Sequence, residues 1–121
     1  MATLTIADAA RATGLSSHTL RYYERAGLLD PIERDRSSGH RRFSDADLAR
    51  AEFLTKLRST GMPIREVRRY AELIRRGEDT SAERLAILEG HRAVVLARVA
   101  EAQRTLDLVD AKIDLYKEKL G

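Results

Sequence analysis

The last third of the chain carries an apolar repeat that constrains the fold more than any other feature of the sequence. Apolar residues recur there in alternating steps of three and four, and Arg92 is the one charged member of the series. The apolar members are Leu85, Leu88, Val95, Val99, Ala102, Leu106, Val109, Ile113, Tyr116 and Leu120. This spacing places the side chains along one seam of a helix, which is the pattern of a coiled coil.

The seam predicts a dimer. A helix of about 40 residues is about 60 Å long, and the rest of the chain is too small to cover such a rod. Leaving the seam in water would forfeit about 1.5–3 kcal/mol for each large apolar side chain. The simplest partner is a second copy of the same helix, so residues 80–121 are predicted to form a dimerisation coiled coil, with the ten apolar residues of the seam as its contacts.

Composition excludes several classes of site. The chain has 121 residues, of which 34% are charged and 5% aromatic, which suits one small domain plus an extended helix. It has no cysteine, and His18, His40 and His91 share no ligand spacing, so we expect no disulfide, thiol sensor, metal or other cofactor. No apolar run has the length of a membrane span, and no signal peptide is apparent, so we expect a cytoplasmic protein without a membrane partner.

The first 27 residues have the pattern of a helix-turn-helix. Thr5 and Asp8 match a capping box that opens a first helix over residues 6–12. A short turn with a glycine separates it from a second helix over residues 17–26, which Gly27 is predicted to cap. The second helix therefore has the position of a recognition helix.

A hairpin is predicted next. Residues 32–34 and 41–43 can pair as short strands around the turn residues 35–39, which include two serines and a glycine. Such a hairpin directly after a recognition helix predicts a wing. The N-terminal part of the chain therefore predicts a winged helix-turn-helix.

Two further helices are predicted between the wing and the seam. Ser44 has the position of an N-cap, and Gly61 that of the third helix's end. Met62 and Pro63 start the fourth helix, whose predicted buried stripe is Ile64, Val67, Tyr70, Ala71 and Ile74. Gly77 closes it, and the segment from Thr80 to Glu83 matches a second capping box that opens the seam helix. The whole chain is predicted to be mainly α, with residues 1–77 forming a DNA-binding domain that includes two linking helices.

The second helix and the wing carry side chains that seek phosphates and base edges. The predicted DNA contacts are Ser17, His18, Thr19, Arg21, Tyr22, Tyr23, His40, Arg41, Arg42, Lys56 and Arg58. Arg21 suits a guanine edge. Tyr23 has a second interpretation as a core residue, and Lys56 and Arg58 have one as ordinary solvated residues of the third helix.

The chain resembles the MerR family of transcriptional regulators over essentially its full length. The resemblance rests on TIADAARATGLSSHTLRYYERAGLL, the wing GHRRF, the segment SDADLARAEFLTKLRSTGMPIREV and the terminal helix. It implies a homodimer held by antiparallel C-terminal helices, with one winged helix in each of two successive major grooves. It also implies promoter DNA with an overlong spacer, which the dimer bends and underwinds so that RNA polymerase can engage both hexamers.

The resemblance also bears on individual residues. It implies phosphate contacts for the pair Tyr22 and Tyr23 and for Arg41, while His40 stands where the family often has Tyr. The segment FLTKLRSTGMPI is most similar to the aldehyde- and electrophile-responsive subgroup, whose reactive cysteine falls at Lys56. A lysine amine can form a Schiff base with a carbonyl, but an exposed one is mostly protonated. We therefore favour a phosphate contact for Lys56, and the sequence names no effector.

Three functions remain open at the level of sequence. The first is a dimeric, sequence-specific transcription regulator that distorts promoter DNA. The second is a DNA-architectural or excisionase-like accessory protein, against which the seam argues because it fixes a two-fold dimer. The third is a coiled-coil adaptor that binds protein. We expect no enzyme, because the sequence has no nucleophile–base pair, phosphate-binding glycine loop or metal ligand set.

Overall fold

A computed structural model describes residues 3–121, which fold into five α-helices and one β-hairpin. The elements are α1 (Ile6–Thr13), α2 (Ser17–Arg25), β1 (Glu33–Arg34), β2 (Arg41–Arg42), α3 (Asp45–Ser59), α4 (Ile64–Arg76), a short 3₁₀ turn (Glu78–Thr80) and α5 (Ser81–Leu120). This confirms the predicted mainly α fold with a winged helix-turn-helix and a long C-terminal helix.

The two helices of the helix-turn-helix begin at side-chain caps. The Thr5 hydroxyl accepts a hydrogen bond from the Asp8 backbone N–H, and the Ser16 hydroxyl accepts one from Thr19 N–H at 3.0 Å. The predicted capping box at Thr5 is only half formed, because the Asp8 carboxylate pairs with Arg11 of the next turn instead. The cap itself was predicted correctly.

Helix α2 ends in a Schellman motif. The prediction made Gly27 the cap, but the cap is Ala26, and Gly27 follows it with a φ of 78°. The Leu28 N–H donates to the Tyr23 carbonyl at 2.9 Å and the Gly27 N–H donates to that of Glu24 at 3.2 Å. This left-handed conformation disfavours residues with a Cβ, so glycine is favoured at Gly27, one position beyond the observed cap.

The wing is extended by a β-bridge to the segment before α1, which the sequence did not indicate. Strands β1 and β2 pair antiparallel, with Glu33 opposite Arg42. Beyond them, Leu4 and Phe43 exchange two backbone hydrogen bonds, of 2.8 and 2.7 Å, and form an isolated β-bridge. The segment before α1 therefore lies against the base of the wing.

The core of the part before α5 gathers residues from α1 to α4 and from the segments that flank the two short strands. Its largest fully buried side chains are Phe43, Leu20, Leu28, Leu29, Leu54, Leu73 and Val67. Of the stripe predicted for α4, Val67, Tyr70 and Ala71 are buried, and Ile64 and Ile74 are partly buried. Leu73, which is fully buried, was missed. Helix α4 begins at Ile64, because Pro63 is its N-cap and not a member of its first turn.

Ser44, predicted as an N-cap, forms a reciprocal capping box with Asp47. Ser44 accepts from Asp47 N–H at 3.1 Å, and the Asp47 carboxylate accepts from Ser44 N–H at 2.9 Å. The capping box predicted at Thr80 is wrong. The buried Thr80 hydroxyl instead donates to the carbonyls of Leu73 and Gly77, and Glu83 pairs with Arg69 of α4 at 2.9 Å.

Helix α5 is joined to the rest of the chain near its start. Thr60, in the turn between α3 and α4, donates its hydroxyl proton to the Lys56 carbonyl, so it accepts from His91 Nε2 at 2.8 Å. The Arg98 guanidinium covers Gly61, where an added Cβ would lie only 2.7 Å from Nη2. Gly61 also has a φ of 113°, so the backbone favours glycine there, whereas the Arg98 side chain could move away from an added Cβ.

The predicted seam is largely uncovered in a single chain. Leu88 packs against the core formed before α5 and Val95 is half-buried, but the remaining seam residues are exposed, including Val99 at 59% and Leu106 at 50%. A Cβ at Gly90 would have no neighbour within 4 Å, so the chain alone gives no close crossing there. Within residues 3–121, no helix has the length and hydropathy needed to cross a membrane.

Candidate nucleic-acid interface

The outward face of α2 presents a row of polar side chains. His18 is exposed, and Ser17, Arg21 and Tyr22 are partly buried on the sides of the helix. The Thr19 hydroxyl accepts a hydrogen bond from the Ser16 hydroxyl at 2.9 Å, which ties it to the helix start. Six residues were predicted as contacts on α2, and four of them lie at an accessible surface: Ser17, His18, Arg21 and Tyr22. Within residues 3–121, the side chains of the first three make no hydrogen bond, and the Tyr22 hydroxyl can still donate its proton.

A groove of about 310 Å³ lies between the start of α1, helix α2 and the wing. Its lining carries three arginines, Arg21 from α2 with Arg34 and Arg41 from the hairpin, and His40 also borders it. Arg34 also donates to the Gly39 carbonyl at 3.0 Å, which holds it across the hairpin. Arg34 was not predicted as a contact, and only its position beside Arg41 in the strand register identifies it.

Arg41 is paired inside the protein by Glu24. Its Nε donates to Glu24 Oε1 at 2.6 Å, and Glu24 Oε2 accepts from the Ile32 backbone N–H at 2.9 Å. Burial raises the pKa of Glu24, but the hydrogen bonds from Arg41 and Ile32 outweigh it and hold the pKa below its ordinary value. Glu24 is thus a carboxylate at physiological pH, and it orients Arg41 at the groove.

Arg42 points to the other side of the hairpin. It donates from Nε to the Thr3 hydroxyl at 3.0 Å and from Nη2 to the Thr3 carbonyl at 3.1 Å. Adjacent strand residues face opposite sides, so Arg41 and Arg42 cannot both line the groove. Of the two arginines predicted as DNA contacts, Arg41 lies at the groove, whereas Arg42 holds Thr3 against the wing.

The hairpin turn is held by Asp35. Its Oδ1 accepts from the Ser37 hydroxyl and from the backbone N–H groups of Ser37 and Ser38, at 2.5, 2.8 and 3.1 Å. These bonds lower the pKa of Asp35 to about 2. The turn presents His40 at the exposed end of the wing.

The two adjacent tyrosines have different surroundings. Tyr23 is buried, and because the Thr55 hydroxyl already donates to the Ala51 carbonyl, the Tyr23 hydroxyl donates to Thr55 at 2.9 Å. Of its two interpretations, the structure favours the core. Tyr22 is partly exposed and accepts from Arg68 Nη2 at 2.8 Å, so its own proton remains available to an external acceptor.

Arg68 was not predicted as part of the site. It lies on the exposed face of α4, 46 residues from Tyr22 in sequence, and the fold alone brings the two side chains together. The available signal in the sequence was the row of arginines opposite the buried stripe of α4, which by itself is typical of any solvated helix face.

Lys56 and Arg58 do not form one site. Both are exposed in the last turns of α3, but residues two apart on a helix lie on nearly opposite faces. Lys56 borders a groove of about 350 Å³ beside the turn between α1 and α2, together with Thr13, Glu52 and Thr55. Arg58 is not among the residues that line it.

Two family profiles match the chain. The profile described as "MerR HTH family regulatory protein" matches residues 4–73, and that described as "MerR, DNA binding" matches residues 48–111. Among sequence relatives, an uncharacterized HTH-type transcriptional regulator of Haemophilus influenzae is 40% identical over 96% of this chain and 85% of its own length. The HTH-type transcriptional regulator AdhR of Bacillus subtilis is 37% identical over 74% of this chain and 63% of its own.

Solved structures agree with this. HiNmlR, described as a MerR family regulator lacking the sensor domain and bound to promoter DNA, superposes with a TM-score of 0.83 at 40% identity, covering 96% of this chain and 91% of that one. A putative MerR family regulator from Listeria monocytogenes also gives 0.83, at 38% identity, over 94% and 86% of the two chains. The chain therefore belongs to the MerR family of helix-turn-helix transcriptional regulators.

Proposed function

We propose that this chain is a homodimeric, sequence-specific transcription regulator that binds promoter DNA through α2 and the wing. The observation that carries the proposal is the groove lined by Arg21, Arg34 and Arg41, with His40 at its edge, directly beside the outward face of α2. The HiNmlR structure, a relative bound to promoter DNA, supports this because its match spans nearly the whole of both chains.

The proposed contacts divide into base readers and phosphate binders. Arg21, with His18 and Thr19 beside it, is assigned to base edges in the major groove, since a guanidinium can bind guanine through two hydrogen bonds. Arg41 and Lys56 are assigned to phosphates on either side of the recognition helix. Ser17 and His40 are proposed as further contacts at the start of α2 and at the wing tip.

Tyr22 and Arg68 are proposed to bind a phosphate together. Arg68 already donates to the Tyr22 hydroxyl, which leaves the hydroxyl proton and the other guanidinium N–H groups free to donate to one anionic group. Tyr23 and Arg42 were also predicted as DNA contacts, but the Tyr23 hydroxyl and the Arg42 Nε–H donate to groups inside the protein, so they contribute less to this proposal.

Dimerisation is assigned to α5. The exposed seam from Leu85 to Leu120 needs a partner, and a second copy in antiparallel orientation provides the same seam in return. The working division is a DNA-binding unit over residues 1–77 and a dimerisation unit over residues 80–121. Two recognition helices related by a two-fold axis then require a pseudo-palindromic operator in double-stranded DNA.

The dimer is proposed to bend and underwind a promoter whose spacer is overlong, so that RNA polymerase responds to the shape of the DNA. Contacts on both flanks and few at the centre suit recognition by deformation. Such a regulator acts in the cytoplasm, on the chromosome, and needs no catalytic activity. The proposal includes no small-molecule effector. Lys56 has an exposed amine, but an exposed lysine is mostly protonated and reacts poorly with carbonyl compounds.

A DNase footprint on the DNA upstream of the chain's own gene tests the proposal. The expected result is a symmetric footprint between the two promoter hexamers, with enhanced cleavage at its centre. Binding without sequence preference would favour an architectural role, and no binding to any promoter fragment at low salt would favour an adaptor that contacts protein.

A further inference from the structure

Glu24 is an acidic residue in the middle of a cationic site. It lies on α2 one turn after Arg21, and its side chain is only 16% exposed. Its negative charge interacts with the positive charges of Arg41 and Arg34 of the hairpin. A carboxylate at this position repels DNA phosphates, so by electrostatics alone it weakens DNA binding.

The two oxygens of Glu24 reach two different parts of the wing. Oε2 accepts from Ile32 N–H at 2.9 Å, where the chain enters β1. Oε1 accepts from Arg41 Nε at 2.6 Å, on the returning strand β2. One side chain of the recognition helix therefore holds both strands of the hairpin.

Beyond its buried base, the wing has little rigidity of its own. Its strands are two residues long, and a short two-stranded hairpin is marginal in water by itself. The bridge between Leu4 and Phe43 holds its base, where Phe43 is buried in the same core as Leu20 and Tyr23 of α2, and the Asp35 turn holds its tip. Within residues 3–121, the side-chain hydrogen bonds that join the hairpin region to α2 are the two made by Glu24. A wing that moves relative to α2 would have to be ordered when DNA binds, at a cost in affinity.

We propose that Glu24 is a positioning residue for DNA binding, which fastens the wing to α2 through Arg41 and Ile32 so that both meet the duplex as one rigid unit. This inference rests on the proposed function. It gives the acidic residue of the segment RYYE a role that opposes its own direct electrostatic effect on DNA.

Positioning by Glu24 and repulsion by its charge have opposite effects on DNA affinity, so removing the charge tests which effect is larger. Glu24→Gln retains an amide oxygen for Ile32 N–H but removes the charge that holds Arg41. Glu33→Gln removes the same charge from an exposed position on β1 and is the matched control. Both changes bring one fewer negative charge to DNA. Operator affinity is measured by fluorescence anisotropy at fixed salt, and folding and dimerisation by circular dichroism and sedimentation.

Positioning by Glu24 predicts that Glu24→Gln binds about tenfold more weakly, equivalent to about 1.4 kcal/mol, while Glu33→Gln binds as well as the wild type or better. Combined with Arg41→Gln, the Glu24 change should add little, because its partner is gone. Hydroxyl-radical protection at the outer flanks of the operator should weaken more than protection by α2. Equal or tighter binding by Glu24→Gln would overturn the inference.

A second variant covers the case in which Glu24→Gln does not fold. Glu24→Asp keeps the charge but is one methylene too short to hold both wing groups, so it should also weaken binding, and unchanged affinity would overturn the inference. A wild-type protein that binds no operator refutes the proposed function itself, whereas operator binding that is insensitive to Glu24 refutes only the positioning role.

Discussion

Replacing Leu106 with alanine should break the dimer without unfolding the chain. Leu106 lies on the seam of α5, beyond the part of the helix that packs on the DNA-binding domain, and it is 50% exposed in the single chain. Alanine is a better helix former than leucine, so α5 itself should be unaffected. The cost of the substitution therefore falls on association.

The size of the effect follows from burial. A leucine that is buried and then truncated to alanine costs about 2–5 kcal/mol, and we take the lower value because half of Leu106 is already covered by its own helix. A homodimer carries the change twice, which gives about 4 kcal/mol for the pair. The dimer dissociation constant should rise by about three powers of ten.

Sedimentation equilibrium over a range of concentrations measures this constant directly. Leu108→Ala is the matched control, because Leu108 is two residues from Leu106, on nearly the opposite face of α5, and is 70% exposed. The control should dimerise like the wild type. The assignment of the seam would be refuted by a Leu106 variant that dimerises normally, or by two variants that lose the dimer equally.

Three further predictions concern the DNA-binding domain. Arg21→Ala should relax base preference at a symmetric pair of operator positions at a cost of about 1–3 kcal/mol per contact, whereas Lys56→Ala should weaken all sequences alike and reduce the salt slope, both measured by anisotropy titrations. Tyr23→Phe should lower the free energy of unfolding in urea by about 1 kcal/mol with little change in DNA affinity. Tyr22→Phe should weaken DNA binding with little change in the free energy of unfolding. Asp35 has a lowered pKa, of about 2, so its contribution to the wing turn is present above the ordinary Asp value of 3.8 and is lost as pH falls towards 2, which an NMR titration of its carboxyl carbon can follow.

Local patterns predicted most elements but not all of their contacts. Ser44 and Thr80 are both followed three residues later by an acidic residue, and the capping box forms only at Ser44. At Thr80 the hydroxyl is buried between the end of α4 and the 3₁₀ turn, where two carbonyls compete for it. The sequence pattern is the same, and tertiary packing decides between the two outcomes.

Non-local contacts account for what the sequence could not indicate at the site. Arg42 was predicted from its type and position in the wing, but its partner is Thr3, far earlier in the chain. Arg68 joins the site because the fold brings its side chain to the Tyr22 hydroxyl. Conversely, Arg21, His40 and Arg41 were predicted from local motifs and do line one groove, because their elements are neighbours in sequence as well as in space.

The most direct test of the account is the shape of the operator in the complex. Resonance energy transfer between dyes at the two ends of an operator duplex reports the end-to-end distance while protein is added. The account predicts that the distance shortens and reaches its limit at two chains per duplex, and that Leu106→Ala fails to shorten it at concentrations where it is monomeric. A duplex that stays straight while wild-type protein saturates it would contradict the account.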